Sequence, residues 1–128
     1  MRLLLDTHAL LWWLSGNEAL PVLARSAIGD DANAVFVSAA SAWEITTKHR
    51  LGKLPGVSAI VGDMDGAIAD QGFSGLPVTV RHGQIAGALP GPHRDPFDRM
   101  LIAQAMAEAL TLVSNEQTFD VYGVTRLW

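Results

Sequence analysis

Five short runs rich in β-branched or leucine side chains, separated by helix-length segments, constrain the fold of this chain more than any other feature. The runs are Arg2–Leu5, Val35–Ser38, Leu76–Val80, Leu110–Ser114 and Val124–Trp128. Each is too short for a stable helix and predicts a strand. Helices are predicted over Thr7–Ser15, with a second piece from Pro21 to Ile28, then over Ser38–Arg50, Val57–Gln71, Arg81–Leu89 and Pro96–Ala109. Strands that alternate with helices pair in parallel and are covered on both faces by their crossovers. The expectation is a three-layer α/β/α fold with a central parallel sheet of four to five strands, residues 1–128 forming one domain. Breakers fall where this requires them: Gly52 and Pro55, Gly72 and Gly75, and the stretch Leu89-Pro90-Gly91-Pro92.

In sheets of this kind ligands bind beyond the carboxyl ends of the strands, so the residues after each strand carry the functional information. Asp6 directly follows the first strand. It is either a ligand projecting from the sheet edge or, with Thr7, the cap of the following helix. Glu44 aligns on its helix with Ala40, Thr47 and Leu51; it is either functional or half of an ordinary ion pair with Lys48. Asp98 heads an apolar stripe of Leu101, Ile102, Ala105 and Met106 that is expected to face the core. Asp95 before Pro96 already supplies that helix with a cap and an acidic first turn, which leaves Asp98 free for function. Asn115, Glu116 and Asp120 follow the fourth strand, either as a surface loop or as the last corner of a site.

Acids from separated elements, gathered at one edge, repel one another unless a cation neutralises them. The chain has no cysteine, so thiolate ligands and cysteine nucleophiles are excluded, and oxygen donors select magnesium or manganese. Such an ion activates water for attack on a phosphodiester without a serine or threonine triad. The net charge of −4 excludes nucleic-acid binding through a broad basic surface, so local cations must do that work. With 49% hydrophobic and 17% charged residues, more apolar surface is expected than a lone monomer needs, which points to a dimer or a protein partner. Asp6 and His8 interrupt the apolar stretch near the start, so neither a signal peptide nor a membrane span is expected, and the cytoplasm is the expected compartment.

Leu3-Leu4-Leu5-Asp6-Thr7-His8-Ala9-Leu10-Leu11-Trp12, then Trp43-Glu44-Ile45 with Lys48 and Gly52-Lys53-Leu54, and Asp95-Pro96-Phe97-Asp98-Arg99-Met100-Leu101-Ile102-Ala103-Gln104-Ala105 together resemble the PIN domain family, and within it the VapC-type toxin ribonucleases of toxin–antitoxin pairs. Leu112-Val113 and Tyr122-Gly123-Val124 extend the resemblance, so that it spans essentially the whole chain. It implies magnesium- or manganese-dependent cleavage of RNA, a cognate antitoxin and a homodimer. Position by position, Asp6, Glu44 and Asp98 match the family's metal-binding acids. Its fourth acid falls on Glu116, where Ser114-Asn115-Glu116 replaces the family's Thr-Arg-Asp, so that Asn115 and Asp120 are alternative ligands. That departure also keeps open a second reading, a catalytically inactive scaffold acting through protein binding. A phosphoacceptor receiver domain fails, because Val80 is followed by Arg81, His82 and Gly83 and not by an acceptor aspartate.

Lys48 and Arg99 neighbour the proposed ligands and are expected either to meet substrate phosphate or to balance the acids. Lys48, His49, Arg50 and Lys53 form the one basic cluster, an RNA path or a helix end whose cations suit the dipole. His8, His82 and His93 are expected to hold structural hydrogen bonds, and Trp12, Trp13 and Trp43 to fill the core or line an interface.

Overall fold

The computed structural model describes residues 1–91 and 93–128, so Pro92 of the predicted breaker stretch lies outside the described residues. Five strands form one all-parallel sheet: β1 (Arg2–Leu5), β2 (Ala34–Ser38), β3 (Ser74–Leu76), β4 (Thr111–Val113) and β5 (Arg126–Leu127), in the order β3-β2-β1-β4-β5. The central strand explains the layering. Leu3, Leu4 and Leu5 are all buried, as expected for a strand covered on both faces. Leu3 and Leu5 join a core with residues of α1 (Thr7–Ser15), α2 (Val22–Gly29), α3 (Ala39–Arg50) and α5 (Met64–Asp70). Leu4 points the other way, to Leu101, Ile102 and Ala105 of α7 (Pro96–Glu108) and to Phe119 of the 3-10 helix Gln117–Tyr122. Helix α6 (Val80–Ala88) packs along α7. Among the described residues no helix is long and apolar enough to cross a membrane.

The predicted helix over 57–71 is two helices, α4 (Ser58–Val61) and α5, broken at Gly62-Asp63. Asp63 starts α5 as a cap whose Oδ1 accepts the Gly66 N–H at 2.9 Å. A Cβ at Gly66 would press on that carboxylate, which would have to shift to make room. The predicted strand over 76–80 is shifted: β3 ends at Leu76, and Val80 opens α6 with 91% of its surface exposed. Pro77 has no N–H for the ladder, and Thr79 is taken by the cap of α6. Its hydroxyl accepts the His82 N–H at 3.2 Å while His82 Nδ1 accepts the Thr79 N–H at 3.0 Å. His82 is buried, and its Nε2 lies 2.9 Å from Glu108 Oε1, which ties α6 to α7. The apolar stripe of α7 is shorter than expected, since Met106 is exposed.

Strand order positions the site. From β1 the chain moves outward through β2 to β3, then returns to lay β4 on the other side of β1. The crevice between β1 and β4 is therefore the topological switch point, where open parallel sheets bind ligands. Asp6 ends β1 and Ser114-Asn115-Glu116 ends β4, one on each side of it.

Candidate active site

Asp6 caps α1 and faces the switch point at once. Its Oδ1 accepts the Ala9 N–H at 2.7 Å, and its own N–H continues the β1–β4 ladder by donating to Val113 O at 3.1 Å. Only 4% of the residue is exposed. Burial pushes the Asp6 carboxyl above its ordinary range, against the hydrogen bonds from the Ser114 hydroxyl and the Ala9 N–H, which pull it down. The capping and functional readings of the sequence are thus compatible, because the cap occupies one carboxylate oxygen.

Glu44 is 5% exposed on α3, and both of its oxygens are engaged. Thr7 donates its hydroxyl to Oε1 at 2.6 Å, and the Lys48 ammonium sits 2.5 Å from Oε2. The predicted Glu44–Lys48 pair is present, but with its acid buried, which changes its energetics from those of a surface pair. Hydrogen bonding to Glu44 raises the Lys48 ammonium above its ordinary value, and the charges of Asp95 and Asp98 add to this.

Asp98 stands in the first turn of α7, behind the cap formed by Asp95, whose Oδ1 accepts the N–H groups of Phe97 at 2.9 Å and Asp98 at 3.2 Å. Its side chain is 24% exposed, with His93 Nε2 3.3 Å from Oδ2. Burial, followed by the negative charges of Asp95, Glu44, Asp6 and Glu116, pushes the Asp98 carboxyl up to about 7. The acids whose charges act on Asp98 come from the end of β1, from α3, from the cap of α7 and from the loop after β4.

Of the three candidates for the fourth corner, Glu116 acts on Asp98 through its charge and is exposed. Its N–H donates to Ser114 Oγ at 3.0 Å. Asp120 is held by Arg126 through two hydrogen bonds of 2.8 and 3.0 Å, which lower its carboxyl below the ordinary range. Asn115 is exposed. Glu116 is the member of the three that shares the field of the cluster.

Arg99 corrects the expectation placed on it. Its guanidinium donates to Ala86 O through Nε and Nη2, to Leu89 O through Nη2 and to His93 O through Nη1. It closes the C-terminal end of α6 and fastens the following loop, and among the described residues no acid pairs with it. Thr7, read as a possible cap, Ser114, read only as part of the strand-end motif, and His93, expected to hold a structural hydrogen bond, all meet the acids, a role the sequence did not assign to them. Thr7 and Ser114 adjoin strand ends; His93 is reached across the loop before α7, which no helical spacing reveals.

Among the described residues no three acidic or histidine side chains stand together as a ready-made ion cage. The donor set nonetheless fits a hard divalent cation: all of it is oxygen, its charges oppose one another, and Asp98 has an open carboxylate. Magnesium keeps several of its waters and needs only one or two protein carboxylates, so Asp6 and Asp98 would suffice to hold it.

Beside the acids, the residues preceding two of them line an apolar groove of about 470 Å³ with Ala39, Val78, Ala86 and Met100. Trp43 is 63% exposed there and meets Phe97 edge-on at 4.9 Å. Trp12 and Trp13 are half-buried against Trp128 and Phe73, as the core reading requires.

The PIN domain family's sequence model matches residues 3–124, and the chain belongs to that family. Among curated proteins none matches the sequence. The fold is similar to that of VapBC2 from Rickettsia felis bound to a DNA fragment from its promoter, with a TM-score of 0.73 at 15% identity over 99% of this chain and 98% of that one. It is also similar to FitAB bound to an IR36 DNA fragment, with a TM-score of 0.61 at 16% identity over 98% of this chain and 93% of the other. FitAcB from Neisseria gonorrhoeae gives 0.62 at 15% identity, over 98% and 96% of the two chains.

Proposed function

We propose that the chain is a magnesium- or manganese-dependent endoribonuclease, the toxin of a toxin–antitoxin pair. The observation that carries this reading is the group of buried Asp6 and Glu44 with half-buried Asp98 at the switch point, Asp98 driven to about 7 by burial and by its acidic neighbours. Membership of the PIN family supports it, and the likeness of fold to VapBC2 and FitAB fits the toxin assignment.

In this reading Asp6 and Asp98 hold the ion, and Glu44 and Glu116 orient water or a further ligand. A bound divalent ion supplies a more acidic water and charge stabilisation at the phosphodiester. Thr7 and Lys48 fix the carboxylate of Glu44, and Ser114 fixes that of Asp6. Arg50 and Lys53 are exposed at the end of α3 and offer phosphate contacts. The groove at Trp43 suits a protein partner, either a second copy of the chain or the antitoxin, because exposed aromatic and apolar surface of this kind is typical of interface cores.

One observation favours the inactive-scaffold reading, namely that no three donors converge among the described residues. A total RNA pool decides between the two. Purified protein is expected to fragment it in magnesium or manganese and to leave it intact in EDTA, whereas a scaffold leaves it intact in both.

A further inference from the structure

We infer that Lys48 is the resident cation of the carboxylate cluster, holding the Glu44 corner so that the site takes one divalent ion, on the Asp6–Asp98 side, and not two. This rests on the metal-dependent reading above and goes further, to the number of ions and to a residue that sets it.

The two ends of the cluster differ in what they offer a metal. Both oxygens of Glu44 are already engaged: Thr7 donates to Oε1 and Lys48 to Oε2. A second ion would have to displace Lys48 from a carboxylate whose side chain is only 7% exposed. Leaving either partner of such a buried pair uncompensated is costly, unlike the loss of an exposed i,i+4 pair. Asp98, at the other end, receives among the described residues only the contact of His93 at 3.3 Å. Its carboxyl is open.

Charge points the same way. Lys48 lies in the field of Asp95 and Asp98 as well as beside Glu44, so its ammonium belongs to the cluster even though the side chain is 40% exposed. When ionised, the three buried or half-buried acids Asp6, Glu44 and Asp98 are neutralised by one ammonium and one divalent ion. A second divalent ion at the Glu44 corner would have to sit against the Lys48 ammonium, which repels it.

The test counts manganese ions bound per chain, by the loss of the free-ion electron paramagnetic resonance signal and by calorimetry. It compares wild type, Lys48→Met, Lys48→Arg and the double variant Glu44→Gln/Lys48→Met. One ion is expected in wild type, two in Lys48→Met, and one again in Lys48→Arg. The double variant has neither charge at that corner, folds without a buried unpaired acid and is expected to return to one ion. A purely structural lysine would change the unfolding temperature and leave the ion count alone. Two ions in wild type, or one ion at wild-type affinity in Lys48→Met, overturns the inference while leaving the metal-dependent reading intact. No manganese bound by any of these proteins overturns both.

Discussion

Replacing Asp98 by asparagine is expected to abolish metal-dependent cleavage and, at pH 8, to make the metal-free protein more stable. A lost ligand should cost at least about 100-fold in activity, since even the outer partners of metal ligands are commonly worth 10–100-fold. The gain in stability follows from the same geometry. In the folded chain the Asp98 carboxyl is raised to about 7 by burial and four acidic neighbours, so the folded state binds its proton more tightly than the unfolded state does. The stabilisation from that proton is complete below the unfolded value of about 3.9 and is lost as pH rises through about 7. At pH 8 the metal-free wild type carries the full repulsion, which asparagine removes. Thermal unfolding in EDTA is therefore expected to show wild type melting lower at pH 8 than at pH 6. Asp98→Asn should have a smaller pH dependence, with the raised carboxyl of Asp6 accounting for what remains. Equal destabilisation of the variant at both values would mean that Asp98 supports the fold and is not strained by it.

Arg99→Ala has the largest expected effect on stability. Removing the guanidinium deprives the carbonyls of Ala86, Leu89 and His93 of their donor and releases the loop that leads into α7. Hydrogen bonds from a charged donor contribute about 1.5–3 kcal/mol each and are not additive, so a loss of about 3 kcal/mol is expected. For a chain of this length that lowers the melting temperature by about 10 °C. Arg99→Lys keeps the charge, but an ammonium does not span three carbonyls as the planar fork does, so it should recover less than half. A stable Arg99→Ala that binds RNA poorly would restore the phosphate-binding role expected from the sequence. Because Asp98 precedes Arg99 on α7, some loss of activity accompanies the loss of stability, and denaturant unfolding separates the two.

The sheet was legible because its information is local. A strand buried on both faces reads as an unbroken apolar run, and Leu3-Leu4-Leu5 can be little else once Asp6 and Thr7 start a helix. The run Val78-Thr79-Val80 reads equally well as a strand, and only the reciprocal cap between Thr79 and His82, with Pro77 before it, turns it into a helix start. Gly62-Asp63 hid its break in a similar way, since the cap becomes visible only through the contact of Asp63 with Gly66. Strand ends also located Asp6 and Glu116. Roles that depend on distant partners were not legible: nothing in the neighbourhood of Arg99 announces carbonyls 6 to 13 residues away, and nothing at Glu44 announces Thr7, 37 residues earlier. The Lys48 pair was readable from its spacing, but not the burial that makes it matter.

The most direct test of a metal-holding Asp6 is cleavage of one defined RNA by wild type and Asp6→Asn across a magnesium titration. Asparagine caps helices about as well as aspartate, so α1 keeps its start and the variant is expected to fold, as circular dichroism would verify. Wild type is expected to cut the RNA in magnesium and to stop in EDTA, with Asp6→Asn at least about 100-fold slower at every magnesium concentration. Undiminished magnesium-dependent cutting by a folded Asp6→Asn would contradict the assignment.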